Sequence, residues 1–91
     1  MQQIWKYELT LGNPQEIEMP VGAEILTVQS QFENQACLWA LVEPANYPVK
    51  REFEIFGTGV DIYENPNRKY IGTYQLRGGI FVFHVFENVH S

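Results

Sequence analysis

Ninety-one residues, 45% of them hydrophobic and 14% aromatic, suffice for one folded domain over 1–91 but not for two with separate cores. Eleven acidic against six basic residues give a net charge of −5. That balance opposes sequence-independent binding to long nucleic acid, which depends on neutralising many phosphates. The single cysteine rules out an internal disulfide framework.

Taken in chain order, the pattern is strand almost throughout. In WKYELTL, Trp5, Tyr7, Leu9 and Leu11 alternate with Lys6, Glu8 and Thr10, the period of a strand with one buried and one wet face. The turn residues GNP end it, QEIEM alternates Ile17 and Met19 with polar residues, and PVG turns the chain again. EILTVQSQF and QACLWALV flank Glu33-Asn34 at hairpin spacing. The run from Ala36 to Val42 is apolar at nearly every position, which predicts a central strand covered on both faces. Pro44 and Pro48 place EPANYPVKR in a loop. EFEIFG then alternates Phe53 and Ile55 with Glu52 and Glu54, a polar connection carries Asn65, Pro66 and Asn67 at its tip, and KYIGTYQL resumes as a strand. Arg77, Gly78 and Gly79 turn the chain into IFVFHVFE. Seven short strands and no helical pattern predict an all-β fold, a small antiparallel barrel or sandwich.

Several chemistries lack their residues. His84 sits in an apolar row with Ile80, Val82 and Phe86, and the other histidine, His90, lies at the tail. With Cys37 in a core run, the ligands for zinc are missing, so no metal or other cofactor is expected and His84 reads as a structural ring bonded within the sheet. Neither Ser30 nor Ser91 lies in a nucleophile-elbow context. Glu52 and Glu54 lie on the polar face of a strand, where solvated charge is the expectation. GTGVDI has Ile62 where a dinucleotide fingerprint needs its third glycine. Gly57, Gly59, Gly78 and Gly79 permit positive φ, which serves a turn or exposes N–H groups to an anion. The chain carries no catalytic motif and reads as a non-enzyme. No window approaches a membrane span and the N-terminus lacks the pattern of a secretory signal, so the expectation is a cytoplasmic protein with no membrane partner.

Most of the cations lie beside rings or glycines: Lys6 between Trp5 and Tyr7, Arg68 and Lys69 before Tyr70, Arg77 before Gly78, with Lys50 and Arg51 instead following a Pro-bearing loop. Phosphate and purine recognition uses these residue types, a cation for charge and a ring for stacking. Solvated edge charge that deters sheet aggregation accounts for the same spacing. On this chemistry the candidate ligand-binding residues are Trp5, Lys6, Tyr7, Arg68, Lys69, Tyr70, Tyr74, Arg77 and Gly78, with Trp5, Tyr7, Tyr70 or Tyr74 as the stacking face. The small core and aromatic excess also predict a symmetric homo-oligomer.

The blocks WKYEL, IEMPVGAEILTVQ, CLWALVEP, IFGTG, YIGTYQL and GGIFVFHVFE resemble a family of small proteins found in bacteriophage genomes, over nearly the whole chain. Such proteins are similar to phage immune-evasion sponges of the anti-CBASS type. The resemblance implies a protein that holds a cyclic nucleotide defence signal, of cyclic dinucleotide or cyclic ADP-ribose type, in the infected bacterial host without cleaving it. The alternative is a phage protein that blocks a host defence enzyme by direct contact. The resemblance carries over no binding residues.

Overall fold

The computed structural model describes residues 1–89; His90 and Ser91 lie outside the described residues. Seven strands follow in order: β1 Gln3–Glu8, β2 Gln15–Pro20, β3 Glu24–Gln31, β4 Gln35–Val42, β5 Pro48–Gly57, β6 Arg68–Leu76 and β7 Phe81–Asn88. They form two antiparallel sheets, ordered β1-β4-β3 and β2-β5-β7-β6. The fold is all-β, and the sheets stay open and stack as a sandwich rather than closing into a barrel. No helix among the described residues is long and apolar enough to cross a membrane.

Strand parity builds the core. Ala36, Leu38, Ala40 and Val42 of β4 point inward, toward Phe53 and Ile55 of β5, Val85 of β7, Tyr74 of β6 and Met19 of β2. The sheets come closest where β3 lies over β6, and a Cβ built on Gly72 would stand 3.4 Å from the Val28 Cβ. A larger side chain at 72 would wedge the layers apart.

One buried polar group interrupts this apolar interior. Glu87 is only 7% exposed, and Arg51 grips it with two bonds, Nε to Oε2 at 2.6 Å and Nη2 to Oε1 at 2.8 Å. The third guanidinium nitrogen, Nη1, donates to the Ala23 carbonyl. This fork-on-fork geometry satisfies both charged groups where water is scarce. The Tyr7 hydroxyl is buried without a hydrogen-bond partner among the described residues.

The structure begins β5 at Pro48, within the segment expected as a loop, and pairs Pro48–Arg51 with β2; it corrects three further expectations. Leu11, expected on a buried face, is exposed, because β1 ends at Glu8 and the chain leaves the sheet. Asn13 then ties this loop to β5: its Nδ2 donates to the Ile55 carbonyl at 2.6 Å, and the Ile55 N–H donates to its Oδ1 at 2.7 Å. Strand β4 is central, yet only in a sheet of three, and the other sheet covers one face of it. Its outward residues Trp39 and Leu41 are half-buried. The third correction concerns β6. Tyr70 and Tyr74 are four residues apart and would share a face in a regular strand, but a bulge at Ile71 shifts the pairing from Tyr70–Phe86 to Gly72–Val85. Tyr70 therefore points outward, whereas Tyr74 is 3% exposed in the core.

Burial pushes the phenols of Tyr7 and Tyr74 above their usual value of 10.0, an effect that the nearby Arg51 charge partly offsets at Tyr7. The sign follows from linkage. In the unfolded chain both phenols ionise near 10.0, while in the folded chain they hold their protons longer. Their stabilising contribution is therefore complete below that pH and is lost as the pH climbs through the folded values. Alkaline titration followed by tyrosinate absorbance should show a late phase coincident with unfolding, reduced in Tyr74→Phe. A late phase unchanged by that substitution would contradict the burial of Tyr74.

Candidate functional site

Two hairpin turns meet at one end of the sandwich. The first, Phe32–Asn34, joins β3 to β4, as the Glu33-Asn34 signal predicts, and the second, Arg77–Gly79, joins β6 to β7. Glu33, Asn34 and Arg77 all have positive φ, at 62°, 61° and 51°. The left-handed region disfavours side chains other than Asn and Asp, so Glu33 and Arg77, one in each of two adjoining turns, concentrate backbone strain here. Asn34 ties the turns together, its Oδ1 accepting the Arg77 N–H at 2.8 Å. Gly78 and Gly79, at φ 65° and 96°, complete a turn that few other residues could follow.

Beside the first turn and the end of β1 lies a hollow of about 540 Å³, lined by Glu8, Gln31, Phe32, Glu33 and Gln35, and between the two turns another of about 460 Å³, lined by Leu11, Glu33, Asn34, Leu76, Arg77, Phe81 and Phe83. The first has two carboxylates and no cation in its wall, so an anionic ligand would be repelled. The second presents Arg77, whose guanidinium carbon stands 5.9 Å from the centre of the Phe81 ring, within cation–π range. Phe81 in turn stacks with Phe83, ring centres 6.3 Å apart. The wall thus offers a cation, two rings, a carboxylate and an amide.

The other predicted residues are spread over the molecule. Arg68 and Tyr70 lie on the outer face of the four-stranded sheet, where Arg68 Nε donates to Glu54 at 3.1 Å and its Nη1 to the Tyr63 carbonyl at 2.8 Å. Its guanidinium rests 5.2 Å from the centre of the Phe56 ring, and the Phe56 and Tyr70 rings both meet Phe86 edge-on. Lys69 is exposed opposite Glu87 in the register. Trp5 bonds Gln3 at the open edge of β1, and Lys6 bonds Gln31 on the outer face of the smaller sheet. Tyr7 and Tyr74 turn inward, so neither supplies a stacking face. Of the predicted set only Arg77 lines the turn pocket, with Gly78 next to it in the same turn; Leu11, Glu33, Asn34, Phe81 and Phe83 lie outside that set. Among the described residues, Arg51 and Arg68 are held in ion pairs and Arg77 is not.

His84 lies on the outer sheet face, half-buried, with Nε2 2.8 Å from Thr58 Oγ1 and Nδ1 3.0 Å from Thr73 Oγ1. Thr73 also meets the Tyr70 hydroxyl at 2.6 Å. A ring bonded at both nitrogens cross-links β7 to its neighbours and leaves neither nitrogen open to a ligand. Cys37 is fully buried, and burial pushes its thiol pKa up, with Lys6 opposing and Glu8 adding to that rise. It fits an inert thiol. Among the described residues, no three His, Cys, Asp or Glu side chains cluster to hold a metal ion.

No curated protein and no solved structure matches the chain. A family profile does match, over residues 1–91: the chain, with its strained turn pair and Arg77 pocket, belongs to the family described as Domain of unknown function (DUF7352).

Proposed function

We propose that this is a bacteriophage immune-evasion protein, acting in the cytoplasm of the infected cell, that binds and sequesters a small cyclic nucleotide signal at the turn pocket without cleaving it. The observation that carries the reading is the state of Arg77. Two of the three arginines are spent on carboxylates, while Arg77 keeps its guanidinium free over an aromatic ring at a hollow of about 460 Å³, a size in the range of small-molecule sites. Phosphate would meet Arg77, and a base would lie against Phe81 and Phe83. Glu33 would repel phosphate, so the phosphates belong at the Arg77 side and a base edge with N–H donors, as in guanine, at the Glu33 side.

Calorimetry against cyclic dinucleotides and cyclic ADP-ribose isomers tests the reading. Arg77→Ala should weaken binding roughly tenfold to a hundredfold, since a charge-assisted hydrogen bond contributes about 1.5–3 kcal/mol, and should leave the fold intact. Ligand released by heat should be chemically unchanged. Cleavage products would point instead to a hydrolase. One observation favours a second reading if no nucleotide binds: Phe32, Ile80 and Leu11 are 88%, 74% and 71% exposed around the same end, an apolar rim that suits direct docking on a host defence enzyme.

A further inference from the structure

The smaller sheet carries an apolar face that no described residue covers. Outward from β4 point Trp39 and Leu41, flanked by Ile4 of β1, 61% exposed, and Leu26 of β3, 44% exposed. Ile4, Leu26, Thr27, Gln29 and Trp39 line a shallow groove of about 310 Å³ there. All seven strands of the described residues are already committed to the sandwich, and none of them is left to cover this face.

We propose that the layer covering it is a second copy of the same chain, the two three-stranded sheets packing face to face about a two-fold axis that runs along β4. Charge placement selects that occupant. The register sets Lys6 beside Trp39 on the β1 edge, with Glu8 one outward pair further along beside Cys37, and Glu24 beside Leu41 on the β3 edge, so at the level of the apolar strip a cation and a carboxylate flank it on opposite sides. An axis along β4 lays the β1 edge of one copy over the β3 edge of its mate and brings each Lys6 toward a Glu24, twice in the dimer. A uniformly acidic partner would meet Glu8 and Glu24 and a uniformly basic one would meet Lys6, whereas the face complements itself. Lys6 reaches only Gln31, and Glu24 has no ion pair among the described residues. Elsewhere two chains of net charge −5 repel.

The face is small: three strands about 4.8 Å apart and about six residues long at about 3.4 Å per residue give less than the roughly 800 Å² per partner of a standard interface. The dimer should therefore dissociate in the micromolar range. Sedimentation equilibrium on the full chain without nucleotide, from low to high micromolar, tests this independently of the ligand reading. The wild type should pass from monomer to dimer. Ile4→Glu and Leu26→Glu, at exposed positions, should remain monomeric with unchanged circular dichroism and unfolding midpoint. Lys6→Glu should weaken the dimer at least tenfold, and adding Glu24→Lys should restore it. A wild type that stays monomeric at high micromolar concentration overturns the proposal and leaves the face to a different protein. A dimer indifferent to Ile4→Glu and Leu26→Glu, or a charge swap that fails to restore association, overturns it equally.

Discussion

Phe53→Ala should lower the unfolding free energy by about 3–5 kcal/mol, the usual range for removing a fully buried ring. Phe53 has no exposed surface and sits on β5 between Gln15 of β2 and Glu87 of β7, where four strands and the facing sheet close around it. A domain of this size has a total stability of about 5–13 kcal/mol, so the loss takes a large share of it. The surrounding strands are fixed by their ladders and cannot collapse into the space. Phe56→Ala, on the outer face of the same strand and half-buried, is the control and should cost clearly less. Urea unfolding of both variants decides the point, and equal losses would show that burial does not set the cost.

Glu87→Ala should cost about 3 kcal/mol. Breaking one side of a buried ion pair leaves the other charge without a partner, which typically costs about 3–5 kcal/mol. Arg51 retains the Ala23 carbonyl and some solvent contact, which places this pair at the low end. Replacing both partners by leucine should recover most of the loss, because the pair contributes less net stability than either charge costs when left alone. If the double variant were as unstable as the single one, the pair would be doing more than satisfying itself, and its geometry would have to be holding β5 to β7 directly.

Much of this architecture was legible in the residues. Period-two alternation located β1, β2 and the second half of β5, and the apolar run located β4, whereas Pro48–Arg51 read as a loop and form the start of β5; Phe53 and Ile55 against Glu52 and Glu54 gave the correct inner and outer faces of β5. The ion pair was visible in principle, since Arg51 shares parity with Phe53 and Ile55, and Glu87 with Phe83 and Val85: one charge on each of two inward rows. Tyr74 lies in the core rather than on a stacking face because the bulge at Ile71 breaks the period of two, and nothing in YIGTYQ marks the extra residue except Gly72, which is needed where β6 passes Val28. The ligand site was the least legible part. Arg77 and Gly78 stood out by composition, but Leu11, Glu33 and Asn34 join them through pairing between distant segments, which local sequence does not encode. Nor does spacing tell which arginines are already spent on carboxylates.

The strand order also dictates a sequence of assembly. Only β3–β4 and β6–β7 are sequence-adjacent pairs; β1 waits for β4, and β2 waits for β5. In the larger sheet β5 and β6 never touch as neighbours: both pair with β7, the last strand to be synthesised. On a translating ribosome the core row of β5 therefore has only the short β2 beside it until β7 emerges, and β6 has no sheet partner at all. The four-stranded layer closes in one late step. Such long-range pairing belongs to domains that fold in about milliseconds to seconds rather than microseconds, and a chain interrupted before β7 would leave unpaired the edges of β5 and β6 that β7 covers.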